Sequence, residues 1–263
     1  MKIVVCLKQV LDPEAPARDF RIDPEKREAE RGAASLVTSI FCANALETAL
    51  QFRDRHGGTI TAISYGPPSA EEVLRKAFAL KADEAVHVVQ EVGGPTHPWH
   101  VARVLAAAIR KLGGADLVLT GRESADWGYG QTGGLLAEEL RLPCLAFVDR
   151  IRLENGDLIV GRQTDAGRDV YSAKPPLVLT ITNDDHNVPR VPKTKDVMLS
   201  SRKTIARWTP LDLGVDDGDD AYVDVVDLFV PEKSTACEFV EGDDLDQKIE
   251  AFARRICETM AQS

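Results

Sequence analysis

Short apolar runs alternate with amphipathic segments over the first half of the chain. Runs rich in valine, isoleucine and leucine predict strands at residues 3–7, 59–64, 84–89 and 116–120. The clearest helix is predicted over 101–112, where apolar residues recur at positions i, i+3, i+4, i+7, i+8 and i+11. Repeated strand–helix units predict a mostly parallel sheet with helices on both faces, which is a doubly wound, Rossmann-like α/β fold.

Capping residues predict where two of the helices begin. Asn44 and Glu47 have the spacing of a capping box, in which the first side chain accepts a backbone N–H and the glutamate reaches back. Ser69 and Glu72 have the same spacing. The glycine pair at 57–58 is typical of a helix end.

The pattern changes after Pro143. Strand-like runs with short turns follow at 145–153, 158–163, 169–172 and 177–182, and we expect them to form an antiparallel extension of the same sheet. A last helix is predicted over about 245–260, with an apolar stripe of Leu245, Ile249, Phe252, Ile256 and Met260. Such a helix buries its apolar face on its own body or on a partner. We therefore expect an α/β domain at 1–204 and an extended arm at 205–263.

Composition excludes several classes of protein. The net charge of the 263 residues is −10, which disfavours nucleic acid as a partner. No apolar run approaches the ~20 residues of a membrane helix, and the amino-terminal run is typical of a first strand and not of a signal peptide. Five cysteines without a CxxC spacing favour a reducing compartment, here the cytoplasm, and disfavour a disulfide or metal framework. We expect His97 and His100 to lie in a solvated loop.

A glycine-rich segment, GRESADWGYGQTGG at 121–134, follows the fourth predicted strand and contains the pattern G-x-G-x-x-G. A dinucleotide fingerprint places its first glycine directly after the first strand. Here residues 121–127 intervene, which disfavours an NAD-dependent dehydrogenase. The glycines, the hydroxyls of Ser124 and Thr132, the Gln131 amide and a helix beginning near Thr132 instead predict a phosphate site. The alternative is a loop whose glycines only permit tight turns.

Several segments in order along residues 1–204 together resemble the β subunit of the electron transfer flavoproteins, the FixA-like family. They are KIVVCLKQVLDPEA, SIFCANALETAL, ISYGPPSAEEVLRKAFALKADEAV, LVLTGRESADWGYGQTGGLLAEELRLP and NVPRVPKTKDVM. The resemblance implies a heterodimer with an α subunit whose FAD carries electrons between a dehydrogenase and an acceptor such as a quinone oxidoreductase. It implies no independent catalysis by this chain. The arm would then pack on the α subunit.

The resemblance also implies a buried AMP, or in electron-bifurcating members a second FAD that NADH reduces. Residues around Cys6, Cys42 and Tyr65 would surround the adenine and ribose, the glycine-rich loop would hold the phosphate, and Phe41 would approach the partner's flavin. The full implied cofactor-binding set is Cys6, Leu7, Lys8, Ser39, Ile40, Phe41, Cys42, Tyr65, Gly121, Glu123, Ser124, Asp126, Gly128, Tyr129, Gly130, Gln131, Thr132 and Gly133. A dehydrogenase would dock between Asn187 and Met198.

The chain departs from the family pattern at several positions. The loop lacks the second acidic residue of bifurcating members and has Trp127 and Tyr129 instead. This leaves open whether the bound nucleotide is AMP or a second FAD. Ile40 stands where the family usually has proline. Thr194, flanked by lysines, stands where many members place an anchoring leucine, so charge would contribute more to docking. An ATP-binding signalling module of similar architecture is the alternative from another class.

Overall fold

The computed structural model describes residues 1–16, 18, 20–90, 97–216, 225–231 and 237–262. The chain divides into two compact units, Met1–Leu228 and Phe229–Ser263. Parts of the predicted arm, at 217–224, 232–236 and 263, lie outside the described residues. That the arm packs on a partner stays a prediction.

The elements follow one another in strand–helix order through the first unit. The strands are β1 (Lys2–Cys6), β2 (Gln9–Leu11), β3 (Ile22–Asp23), β4 (Glu28–Ala29), β5 (Leu36–Thr38), β6 (Thr59–Gly66), β7 (Glu84–Val89), β8 (Leu117–Gly121), β9 (Cys144–Glu154), β10 (Asp157–Thr164), β11 (Gly167–Ala173), β12 (Leu177–Ile181) and β13 (Ala206–Trp208). The helices are α1 (Ile40–His56), α2 (Glu71–Ala79), α3 (Pro98–Lys111), α4 (Thr132–Leu140), α5 (Thr194–Ser200) and α6 (Leu245–Gln262).

Nine of the described strands form one sheet in the order β11-β10-β9-β12-β8-β1-β6-β7-β13. From β12 to β13 every neighbouring pair is parallel. Side chains of α1 and α2 share one core with one face of the sheet, and side chains of α3 and α4 share a second core with the other face. The predicted doubly wound α/β fold is therefore confirmed. The chain passes from β1 to β6 on one side and later to β8 on the other, so the strand order reverses at β1.

The prediction of an antiparallel extension was right for three strands and wrong for the fourth. β10 pairs antiparallel with both β9 and β11. β12 instead pairs parallel with β8 and with β9, deep inside the sheet. All five of its residues are buried because helices cover both faces there.

Both predicted capping boxes were wrong. α1 begins at Ile40, after Ser39, and Asn44 lies inside the helix, where its amide donates to the carbonyl oxygen of Asn187 at 3.0 Å. The Ser69 hydroxyl donates to the Gln9 side chain at 2.7 Å, within a 3₁₀ turn that precedes α2. In both cases a hydrogen bond to a distant residue takes the place of the local cap.

Other elements also differ from the expectation. β13, α5 and the small antiparallel pairs β2–β5 and β3–β4 were not predicted. The expected solvated loop at His97 and His100 was wrong, because α3 begins at Pro98. The His97 ring accepts the backbone N–H of Trp99 at 3.2 Å, and His100 is buried.

The second unit contains α6, which confirms the helix predicted at the end of the chain. Its first turn is capped by Asp244, whose carboxylate accepts the backbone N–H of Gln247 at 2.9 Å.

Candidate functional site

A cavity of about 270 Å³ lies at the carboxyl ends of β1, β6 and β8. The strand order reverses at β1, and ligands of open α/β sheets bind at such a point. Of the sequence-predicted residues, the cavity is lined by Cys6, Leu7, Lys8, Cys42, Tyr65, Gly121, Glu123, Ser124, Asp126, Tyr129, Gly130, Gln131 and Thr132. Ser39, Ile40, Phe41, Gly128 and Gly133 do not line it.

The amino end of α4 faces the cavity, since Gln131 and Thr132 both line it. The first N–H to bond within this helix belongs to Leu135, so the preceding N–H groups have no intrahelical partner. The hydroxyl of Thr120, at the end of β8, is buried and has no hydrogen-bond partner among the described residues. A side chain on Gly133 would begin 2.7 Å from that oxygen, so the hydroxyl lies beside the first turn of α4. These donors together suit an anion.

Lys8 connects the end of β1 to the glycine-rich loop. Its ammonium lies within 2.8 Å of both carboxylate oxygens of Asp126 and 3.4 Å from the Ser124 hydroxyl. Partial burial acts to raise the pKa of Asp126, but the charge and hydrogen bonds of Lys8 outweigh it, and the pKa lies below its ordinary value. The loop therefore keeps Asp126 ionised beside Lys8, the one lysine that lines the cavity among the residues that the structure describes.

Two aromatic rings lie at the edge of the cavity. Trp127 and Tyr129 are stacked, with ring centroids 5.8 Å apart and planes 14° from parallel. Gly128 and Gly130 alternate with them at φ of 62° and 64°, in the left-handed region that favours glycine. The two glycines thus place both rings on the same side of the loop.

The opposite wall of the cavity is mostly apolar. Cys6 and Cys42 are both buried, and burial, together with the neighbouring Cys42 thiol, raises the pKa of Cys6 to about 12. Burial also raises the pKa of Cys42. The Tyr65 hydroxyl and the Nε2 atom of His100 are 3.3 Å apart, which fixes the tyrosine ring against α3. This end suits a flat, uncharged ring.

The predicted residues that do not line the cavity support it or lie beside it. The Ser39 hydroxyl accepts the backbone N–H of Ala125 at 3.2 Å, which ties α1 to the loop. The ring of Phe41 lies under the Arg122 guanidinium at 4.4 Å. Ile40 is half exposed. A side chain on Gly133 would clash with Thr120, so this glycine permits close packing of α4 on the sheet.

Sequence reasoning missed part of the lining. The residues outside every predicted segment of the site are Gln9, Gly66, Pro67, Ala70, Gln90, Pro98, Val101, Leu105 and Thr120. Arg122 and Trp127 also line the cavity; they belong to the predicted glycine-rich loop but not to the implied cofactor-binding set. Val101 and Leu105 are one helical turn apart on the predicted stripe of α3, a spacing that equally indicates core packing. The end of a central strand was the signal that could have identified Thr120.

The segment between Asn187 and Met198 is anchored on α1 and on the residue that follows β12. The buried Asn187 side chain donates to the Thr182 carbonyl at 2.8 Å. Arg190 donates to the buried carboxylate of Glu47 from Nε at 2.8 Å and from Nη2 at 3.0 Å. Further along the segment, residues Lys193 to Lys195 are exposed where α5 begins.

The described residues bring together no group of three or more metal-ligating His, Cys, Asp or Glu side chains. Over the same residues, no helix has both the length and the apolar character required to cross a membrane.

Comparison with known proteins assigns the family. The model of the electron transfer flavoprotein domain matches residues 35–213. The caffeyl-CoA reductase-Etf complex subunit CarD of Acetobacterium woodii is 34% identical over 216 residues, which are 82% of this chain and 80% of that protein. The electron transfer flavoprotein subunit beta of Clostridium acetobutylicum is 34% identical over 216 residues, with 82% and 81% covered. Protein FixA of Azorhizobium caulinodans is 33% identical over 224 residues, with 82% and 78% covered. The chain therefore belongs to the electron transfer flavoprotein family, among its β subunits and FixA proteins.

Proposed function

We propose that this chain is the β subunit of a heterodimeric electron transfer flavoprotein and that it holds AMP in the cavity at the carboxyl edge of the sheet. The observation that carries this proposal is the Thr120 hydroxyl beside the amino end of α4, which has no hydrogen-bond partner within the described part of the chain. A buried hydroxyl without a partner is costly unless a ligand completes its hydrogen bond. A phosphate at a helix amino end supplies that acceptor.

The cavity has a polar end and an apolar end, as a mononucleotide requires. The phosphate would lie by Thr120, Thr132 and Lys8, and the adenine would lie between Cys6 and Tyr65. The volume of about 270 Å³ is near the lower end of ligand pockets, which span roughly 300–1,000 Å³. This size favours AMP over a dinucleotide.

A second FAD in place of AMP, reduced by NADH, is the alternative. It would need room for a flavin ring beyond the phosphate, and the stacked Trp127 and Tyr129 are the surface that such a ring could contact. An ATP-binding signalling module is disfavoured by charge, because Asp126 neutralises the lysine that a triphosphate would need.

The proposal assigns the electron-carrying FAD mainly to the α subunit. Phe41, half-buried beneath Arg122, and the exposed Ile40 would form the surface of this chain next to that flavin. The arm at 205–263 would pack on the α subunit. In this role the chain needs no side chain that acts as acid, base or nucleophile, because it houses the nucleotide and positions a flavin held by another subunit.

Electrons would pass from a dehydrogenase that docks between Asn187 and Met198 to a quinone oxidoreductase or another acceptor. Anchoring of this segment on α1, through the hydrogen bond from Asn44 to Asn187 and the ion pair of Arg190 with Glu47, supports the docking role, because a preorganised surface loses less entropy on binding. We place this exchange in the cytoplasm.

Nucleotide release from the purified heterodimer tests the proposal. The chain is co-expressed with its α subunit, the complex is denatured, and the released nucleotides are separated by chromatography and quantified. One AMP and one FAD per heterodimer are expected. Two FAD would support the alternative, and a complex that releases no adenine nucleotide beyond a single FAD would overturn the assignment of the cavity.

A further inference from the structure

A second cleft, of about 240 Å³, lies beneath the segment between Asn187 and Met198. Its floor is made by buried apolar side chains of α1 and α2, among them Leu46 and Val73. The segment itself supplies the other wall through Val191 and Pro192. The cleft is thus larger than one leucine side chain and mostly apolar.

The segment cannot easily collapse into this cleft. Asn187 is held by buried hydrogen bonds, and Arg190 is fixed to Glu47 on α1. Val191 follows directly, and it is 88% exposed. An apolar cleft that is held open beside an exposed valine is typical of a surface that a partner covers.

The rim of the cleft is positively charged on a protein whose net charge is −10. Lys76 lines the cleft, and Lys193 and Lys195 follow its Pro192 wall. Among the described residues none of these lysines has a carboxylate partner, whereas the nearby Lys81 is paired with Asp196. Unpaired like charges around an apolar cleft select a partner of the opposite charge.

We propose that this cleft receives an apolar, leucine-sized side chain from an acidic segment of a partner protein. Docking in this mode places the anchoring side chain on the partner and its receptor on this chain. The inference rests on the proposed function only in that the partner would then be the dehydrogenase that docks between Asn187 and Met198. The cleft and its charge are independent of the nucleotide.

A short synthetic peptide with one central leucine and acidic residues on both sides is the probe, and the purified heterodimer is the receptor. Fluorescence anisotropy measures the affinity, and a diazirine analogue of the leucine allows light-induced cross-links to be mapped by mass spectrometry. We expect saturable binding that weakens with salt, and cross-links to Leu46, Val73 or Pro192. The same peptide with serine in place of leucine should bind at least about tenfold more weakly.

Two substitutions on this chain separate the apolar and the charged contributions. Ala43→Leu on α1 fills the cleft and should weaken binding about tenfold, whereas Ala107→Leu, another half-buried helical alanine on the opposite face of the sheet, should not. Neutralisation of Lys76, Lys193 and Lys195 by glutamine should weaken binding about tenfold and flatten its salt dependence. Lys174→Gln is the control at an exposed lysine elsewhere.

Absence of saturable binding overturns the inference, and so does coverage of the cleft by the chain's own terminal helix, which would block the peptide. Equal binding of the serine peptide or insensitivity to Ala43→Leu also overturns it. Nucleotide content is measured on the same preparations. A heterodimer that binds the peptide but releases no AMP would contradict the proposed function and leave the docking cleft intact, and the reverse result would contradict only the cleft.

Discussion

The ammonium of Lys8 lies within 2.8 Å of both carboxylate oxygens of Asp126. This ion pair joins the end of β1 to the glycine-rich loop at the side of the cavity where the phosphate is proposed to lie. A bound phosphate would offer Lys8 a second anion, so Asp126 and the nucleotide would share one cation. Lys8 then raises the affinity for AMP, and Asp126 limits it.

Substitution of Lys8 should weaken nucleotide binding. Lys8→Met removes a charge-assisted hydrogen bond worth about 1.5–3 kcal/mol, so the affinity for AMP should fall between about tenfold and a hundredfold. Asp126→Asn removes the competing carboxylate and should leave the affinity equal or higher. Calorimetric titration of AMP into the nucleotide-depleted heterodimer measures both. Equal losses in the two variants would mean that the ion pair serves only to hold the loop.

Thr120→Val should separate ligand binding from stability. The substitution keeps the shape of the side chain and removes a buried hydroxyl that has no partner among the described residues. The free energy of unfolding of the nucleotide-free protein should therefore stay equal or rise, because a desolvated hydroxyl no longer has to be buried. The affinity for AMP should fall by about fivefold to tenfold, the value of one hydrogen bond. A variant that binds AMP as tightly as the parent would place the phosphate elsewhere.

Cys6 should react very slowly with alkylating reagents. Burial, together with the neighbouring Cys42 thiol, raises its pKa to about 12. At about pH 8 only about one Cys6 in ten thousand would be a thiolate, and this fraction grows about tenfold per pH unit. Labelling with iodoacetamide, followed by mass spectrometry, should therefore modify the exposed Cys237 long before Cys6. Rapid labelling of Cys6 that does not change with pH would contradict the closed wall of the cavity.

The fold was predictable where the local order of apolar and polar residues indicates which positions are buried. Apolar runs predicted β1, β6, β7 and β8, because strands buried on both faces consist of consecutive apolar residues. Helical periodicity predicted α3, because the residues on the buried face of a helix recur every three or four positions. The direction of β12 was not predictable in the same way. Its buried run predicts a strand, but whether that strand is parallel depends on its neighbours in the sheet, which are distant in sequence.

The roles of capping and site residues also depend on residues that are distant in sequence. Asn44 has the sequence context of a helix start, yet its amide bonds a residue 143 positions away. The glycine-rich loop was identifiable because its composition itself favours anion binding. Val101 and Leu105 reach the cavity only because α3 packs beside β6, and their spacing alone cannot distinguish a cavity wall from a core.

Neighbouring glycines at the start of α4 provide a test of the packing that shapes the phosphate site. A side chain on Gly133 would clash with the Thr180 methyl group and begin 2.7 Å from the Thr120 hydroxyl, whereas one on Gly134 would have no atom within 4 Å. Gly133→Ala should therefore lower the free energy of unfolding by about 1–3 kcal/mol. Gly134→Ala should raise it by about 0.5–1 kcal/mol, because alanine loses less backbone entropy in a helix.

The same pair of variants tests the nucleotide site when AMP content is measured beside stability by chemical denaturation. Gly133→Ala forces the amino end of α4 away from Thr120, so the purified heterodimer should retain less AMP than the parent. Gly134→Ala leaves that end in place and should retain the parental amount. If Gly133→Ala lowers stability and keeps its full AMP content, the helix end does not hold the phosphate, because displacement of α4 by a methyl group would then have no effect on the ligand.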